Sequence, residues 1–304
     1  MNVKMNLYIL SDMEGACGIY KQEQFTPGAP DWKQWGRSCL TDDIRTAAEG
    51  ARLAGVERII VRDYHGWGTN VFKDRLPEFA KVVGGIRLRP IPVIGKKQKY
   101  PMAFLIAQHA AMDAPGAFYP HIFHHHVKSV RINGRAVSET EILAAVLGEG
   151  LETPVGLISG DPVLLEGIAG NFPWAELVPC SKDPKDFETD TKTKNTLRRE
   201  REDLFRKSKK AVERVGEMKR FQFQSPIRME IELHFPESPI AKNTWGLTRI
   251  SGTRFALERP DFMETFSALF NFLFIPKAFY PLVIGLGCLG NRVVRTKFFQ
   301  RFYT

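Results

Sequence analysis

The chain has only four cysteines in 304 residues, Cys17, Cys39, Cys180 and Cys288, and no two of them form a CxxC pair. That scatter excludes a zinc knuckle and a disulfide framework, and it suits a reducing compartment. There is no glycine-rich phosphate loop, no internal repeat and no low-complexity tract. The net charge of +9 comes without a nucleic-acid-binding module, so it reads as a basic surface and no nucleic-acid partner is expected. Met1 to Met5 carry one lysine and lead straight towards acidic residues. With no apolar h-region and no small-residue cleavage site, they predict no signal peptide and a cytoplasmic location. Long unbroken apolar runs are missing too. From Phe266 to Gly290 the only charge is Lys277, but Pro276, Pro281, Asn271 and several glycines interrupt the stretch. It reads as a helix plus a docked apolar tail rather than a membrane span.

What is present is ample core-forming material: 43% of residues are hydrophobic and 25% are charged. Short apolar runs at Leu7 to Leu10, Val56 to Val61, Phe104 to Ala107 and Val155 to Ile158 alternate with helical stretches. These stretches are Thr41 to Leu53, Glu139 to Leu147 and a segment after Asp161. Fully apolar strands alternating with helices predict an α/β fold, a mostly parallel sheet flanked by helices. The charged run from Asp183 to Lys210 predicts an exposed helix over Leu197 to Val212 and marks a boundary. Beyond it, Ile227 to Phe235 alternates apolar and polar residues like a half-exposed strand. Leu247 to Leu257 reads as another strand, and Pro260 to Phe274 as a helix. The expected partition is an α/β metal-site domain over 1–190, a smaller α+β part over 191–275 and an apolar, basic tail over 276–304.

Asp12 and Glu14 directly follow the first strand, in Asp12-Met13-Glu14-Gly15. Two apart in extended backbone, they point the same way, and like charges at the end of an apolar strand call for a cation. His65 and His109 also follow apolar runs, so three carboxyl-terminal strand ends carry ligand-type residues, where open α/β sheets place their sites. Glu139 lies in the capping box Ser138 to Glu141; on its own it reads as a helix-start carboxylate. Together Asp12, Glu14, His65, His109 and Glu139 exceed one tetrahedral site and suit two metals if one carboxylate bridges, with Asp12 the bridging candidate. Asp63, two residues before His65, is expected to orient it as an acceptor. The histidines at 121, 124, 125 and 126 offer a proton donor or electrophile; His121 is the first choice and His124 the alternative.

Several blocks resemble the DppA-type zinc D-aminopeptidases: Ser11 to Gly15, Arg62 to Gly66 with Asn70, Gln108-His109, Ala114 to Gly116, Ile132 to Glu139 and Leu157 to Asp161. In order, they cover roughly residues 5 to 275. The resemblance implies two zinc ions per subunit held by Asp12, Glu14, His65, His109 and Glu139, and a catalytic histidine best matched by His121. It further implies release of amino-terminal D-residues from short peptides or amides, and a ring-shaped homo-oligomer. Tyr64 stands where that family commonly has a small serine, while Trp67 and Pro120 are also atypical. These departures leave the metal set intact and bear on substrate preference. The alternatives are another dinuclear metallohydrolase, such as a phosphoesterase, and a non-catalytic metal-binding assembly protein. The tail from Gly290 to Thr304 interleaves Arg292, Arg295, Lys297 and Arg301 with aromatic residues. Its expected role is packing against the body or a neighbouring subunit, with contact to a membrane surface as the second reading.

Overall fold

The computed structural model describes residues 5–83, 100–236 and 246–274. The expected tail and Cys288 lie outside the described residues. Two sheets organise the chain. The first is built from β1 (Met5–Ser11), β2 (Val56–Asp63), β3 (Ala80–Val82), β4 (Met102–Gln108), β7 (Val155–Gly160) and β8 (Glu176–Pro179). Its order is β3-β2-β1-β4-β7-β8 and every pairing is parallel. The expected parallel α/β layer is therefore present, with β3 and β8 as short edge strands that the apolar pattern does not reveal.

The second sheet is antiparallel. It contains β5 (Val127–Ile132), β6 (Arg135–Ala136), β9 (Ile227–Leu233), β10 (Thr248–Arg249) and β11 (Arg254–Arg259), in the order β10-β11-β9-β5-β6. The stretch read as one strand over Leu247 to Leu257 is a hairpin of β10, a turn and the start of β11, with the Ile250 and Ser251 N–H groups bonding back to the Arg254 carbonyl. β9 shows the anticipated alternation: Ile227, Met229, Ile231 and Leu233 are buried, while Arg228 and Glu230 are exposed.

Five α-helices complete the described chain: α1 (Arg37–Leu53), α2 (Glu139–Ala145), α3 (Pro162–Ile168), α4 (Asp190–Glu213) and α5 (Phe262–Phe274). β1 is buried on both faces, and its alternate side chains serve two cores. Leu7 and Ile9 join Phe104, with Leu40 and Ile44 of α1 and Leu204 of α4. Tyr8 and Leu10 join Leu105, α2, the inner face of the second sheet and Phe266 of α5. Burying each such Leu, Ile or Phe contributes about 1.5–3 kcal/mol. α1 and α4 approach closely where Gly50 leaves no room for a side chain: an added Cβ would lie 2.4 Å from the Phe205 carbonyl oxygen. Among the described residues no helix is long and apolar enough to cross a membrane.

The strand order fixes where a site can form. From β1 the chain builds outward to β2 and β3 on one side; β4, β7 and β8 extend the other. The adjacent β1 and β4 therefore lead into connections that leave on opposite sides, which opens a crevice beyond their carboxyl ends.

Candidate metal centre

Asp12 and Glu14 leave the end of β1, His65 follows β2 and His109 follows β4. The loop after β1 is held tightly against β4. The Asp12 N–H donates to the Ile106 carbonyl at 3.0 Å, and the Gly15 N–H to the Ala107 carbonyl at 2.9 Å. Gly15 is required there, since a Cβ would sit 2.0 Å from the Gln108 carbonyl oxygen. Ala107 itself takes a left-handed φ of 64°, a conformation costly for a residue with a side chain, immediately before the Gln108-His109 pair. Glu139 comes from the first turn of α2. That helix starts with the anticipated capping box: the Glu141 N–H donates to Ser138 Oγ at 3.2 Å and the Ser138 N–H to Glu141 Oε2 at 2.8 Å. Because Glu141 satisfies the cap, Glu139 is free to face the crevice, where its Oε2 accepts from the Phe123 N–H.

The structure brings all five ligand-type residues together. They form two groups of three, Asp12–Glu14–His65 and Asp12–His109–Glu139, each with donor atoms within 4.8 Å of one another. Asp12 belongs to both. His65 Nε2 lies 3.2 Å from Glu14 Oε1, and His109 Nε2 lies 3.3 Å from Asp12 Oδ2 and 3.5 Å from Glu139 Oε2. His109 Nδ1 lies 3.0 Å from the Ala110 carbonyl, an acceptor only, so Nδ1 carries the proton and Nε2 is turned to the carboxylates.

The electrostatics are those of a cation site. Asp12 Oδ2, Glu14 Oε2 and His65 Nδ1 are buried and have no hydrogen-bond partner. Each such orphan costs about 1–3 kcal/mol, more when charged. Burial and then Glu14 push the Asp12 carboxyl well above its ordinary range. Burial also opposes charge on Glu14, but His65 outweighs it and holds that carboxyl well below. Oxygen and imidazole donors in this arrangement are the chemistry zinc prefers, so the residues present fit the ion.

His121 stacks on His109 with ring centroids 3.8 Å apart, and its Nε2 lies 3.8 Å from Glu14 Oε1. Its Nδ1 is 3.0 Å from the Tyr119 carbonyl, which leaves Nε2 as the free acceptor in the neutral ring. Burial and then His109 hold its pKa below the ordinary value. His124 is placed differently. Its Nδ1 accepts from the His126 N–H at 3.1 Å, and its ring packs against His125, His126 and Phe274.

Asp63 does not orient His65 directly as anticipated. Its two oxygens accept from the Asn70 N–H (2.7 Å) and Asn70 Nδ2 (2.9 Å), and Asn70 Nδ2 also donates to the His65 carbonyl (2.8 Å). Trp32 Nε1 donates to Asn70 Oδ1 at 2.8 Å and locks the amide. Asn70 is thus the intermediary. Two further groups escape sequence reasoning. The Tyr119 carbonyl is backbone and leaves no residue signal. Gln108 adjoins His109, and its Oε1 accepts from Tyr64 and Thr140 hydroxyls at 3.4 Å each. The signal for Tyr64 was its bulk beside His65; burial, then Asp12, holds its phenol well above the ordinary value, so it stays a neutral donor.

With this geometry in hand, a family model described as D-aminopeptidase (Peptidase_M55) matches residues 5–270. The chain belongs to this D-aminopeptidase family. A D-aminopeptidase of Bacillus subtilis (strain 168) is 27% identical over 158 residues, 52% of this chain. The match spans 56% of that relative, so the chain covers little more than half the length of the curated D-aminopeptidase. The solved structure of the Zn-dependent D-aminopeptidase DppA from Bacillus subtilis, described as a self-compartmentalizing protease, superposes with a TM-score of 0.75. It covers 88% of this chain and 96% of that one at 19% identity, a likeness of fold.

Proposed function

We propose that the chain is a zinc-dependent aminopeptidase that releases amino-terminal D-residues from short peptides or amides. The convergence of five buried ligand-type residues on two donor groups sharing Asp12 carries this reading. Family membership and the zinc dependence of the structural relative support it. Two zinc ions per subunit are assigned, one to Asp12, Glu14 and His65 and the other to Asp12, His109 and Glu139. Zinc, when bound, supplies Lewis acidity that polarises a carbonyl and acidifies water.

The chain's own groups do the rest. His121 Nε2, unprotonated at neutral pH, takes the proton of the attacking water and hands it to the leaving amine. His109, stacked on it, fixes its plane, and the Tyr119 carbonyl fixes its tautomer. The neutral Tyr64 phenol donates to Gln108 Oε1 beside the crevice. Its bulk narrows the space beside His65 and favours small side chains in the released residue. The proposed assembly is a cytoplasmic homo-oligomer whose subunits enclose a compartment, as the description of the structural relative suggests.

The test is elemental analysis of the purified protein followed by paired D- and L-dipeptide amides. The expected result is two zinc ions per subunit with faster cleavage of the D-series. Full zinc occupancy without cleavage of any small amide overturns the catalytic reading, and preference for aryl phosphates redirects it to a phosphoesterase.

A further inference from the structure

Away from the metal centre, another group of three donors, Cys17, Asp43 and Cys180, lies fully buried behind the loop that follows Glu14. Cys17 is three residues beyond Glu14, and Cys180 directly follows β8. Their sulfurs are in contact at 2.7 Å across 163 residues of sequence. Lys182 fixes that meeting independently: its Nζ donates to the Ala16 carbonyl at 2.7 Å and the Ile19 carbonyl at 3.0 Å, tying the chain after β8 to both sides of Cys17. The Cys180 N–H is anchored on the Gly160 carbonyl at 2.9 Å.

A divalent cation has no place here. Asp43 Oδ2 accepts from the Cys17 N–H at 2.8 Å, and Asp43 Oδ1 accepts from Arg201 Nε at 3.1 Å. With the guanidinium on the carboxylate, the thiols are left to each other, to Glu200 and to the Val178 carbonyl, which accepts from Cys180 Sγ at 4.0 Å. Glu200 Oε1 accepts from the Ser181 N–H at 2.7 Å, while its Oε2 is buried without a hydrogen-bond partner. The Cys17 thiol is among the groups that steady the Glu200 charge.

The geometry points to a covalent modification site in which Cys17 and Cys180 are oxidised by hydrogen peroxide to an intramolecular disulfide. The Cys17 thiol passes its proton to Glu200 Oε2, and the thiolate attacks a peroxide oxygen. The O–O bond breaks; the departing hydroxide recovers the proton from Glu200 as water, and Cys17 is left as a sulfenic acid. The Cys180 sulfur then attacks the Cys17 sulfur. An S–S bond forms, the S–O bond breaks, and the hydroxyl leaves with the Cys180 proton as a second water. Two thiols lose two electrons and two protons, and the peroxide is reduced to two waters.

The oxidant must be small, since neither sulfur has exposed surface. Burial lifts the Glu200 carboxyl to about 6, which leaves it ionised at neutral pH and ready to accept a proton. The Cys180 contact and burial raise the Cys17 thiol, and Cys180 is raised as well. Thiols that hold their protons are poor leaving groups, so oxidation is slow and the resulting disulfide is durable.

The full-length protein is exposed under native conditions to hydrogen peroxide or to a bulky aromatic disulfide, then denatured, alkylated and mapped by mass spectrometry. With peroxide, a mass loss of two hydrogens is expected, with alkylatable thiols falling from four to two and a Cys17–Cys180 crosslinked peptide. The bulky disulfide should leave both thiols intact. Cys39→Ser should keep the crosslink, Cys180→Ser should abolish it, and Glu200→Gln should slow its formation at neutral pH. Complete alkylation of Cys17 and Cys180 after peroxide, gain of oxygen without a crosslink, or a link through Cys39 or Cys288 overturns the proposal. If Cys180→Ser does not fold, the thiol count and crosslink map of the unsubstituted chain decide.

Discussion

Charged side chains at the end of β1 are sunk in the protein, whereas those on β9 stand in water. Asp12 and Glu14 are buried with carboxylate oxygens lacking hydrogen-bond partners. On the second sheet, Arg228 Nε meets Glu258 Oε2 at 2.8 Å, with the two side chains 71% and 55% exposed. Exposed Lys128 pairs with half-buried Glu232 on the same sheet. Water screens the second set, and each such pair contributes about 0.2–1 kcal/mol. The first set has no such relief, and its cost is offset in part by His65 and His109 and, in the proposed function, by a cation. Burial, rather than the presence of charge, separates the functional end of the molecule from the structural one.

Removing a buried charge should therefore have consequences that removing an exposed one does not. Asp12→Ala is expected to have the largest effect, abolishing both zinc binding and turnover, because Asp12 is shared by both donor groups; retention of two zinc ions by this variant would contradict the sharing. His121→Ala should leave zinc content unchanged while kcat for a D-dipeptide amide falls by about 10²–10⁴-fold.

Proton competition sharpens the contrast. Burial opposes charge on His65 and His109, yet Glu14 for the first, and Glu139 with Asp12 for the second, outweigh it and raise them to about 9 and about 10 in the metal-free chain. The unfolded chain releases these protons near 6.5. The ion pairs thus stabilise the metal-free fold fully below that value, and the contribution is lost as pH rises through 9 to 10. Zinc requires the neutral imidazoles, so its apparent affinity should rise about tenfold per pH unit for each proton displaced. Calorimetric titration in buffers of different ionisation heat measures that release; uptake without protons would show the histidines are not ligands.

A smaller effect is expected from Asn70→Ala, which cuts the Asp63–Asn70–His65 connection: zinc affinity should fall about 10–100-fold. Smallest of all, Arg228→Ala on the second sheet should change unfolding free energy by no more than about 0.5 kcal/mol in a denaturant titration. A loss of several kcal/mol there would remove the distinction between the two regions.

Much of this was legible in the sequence where a short stretch carries its own signal. The apolar runs located β1, β2, β4 and β7, the alternation of Ile227 to Leu233 located β9, and Ser138 to Glu141 announced α2. β3 and β8 were not legible, being edge strands of three and four residues, too brief to show an apolar run or an alternation. The pairing of Val127 with Leu233 in the second sheet is likewise decided by the tertiary fold. The five ligand-type residues could be named because carboxylates and histidines at strand ends are conspicuous. What orients them could not: a carbonyl behind His121 and an amide between Asp63 and His65 have no residue-level signature. Nor did the wide spacing of Cys17 and Cys180 hint that they touch.

The absence of a side chain at Gly15 has a consequence for how a cation enters and leaves. Because the glycine backbone is bonded to Ala107 and pressed against Gln108, β1 and β4 keep their separation through protein contacts alone. The proposed cradle is therefore held by backbone contacts before any ion occupies it, and exchange of one metal for another is expected to leave the surrounding architecture folded.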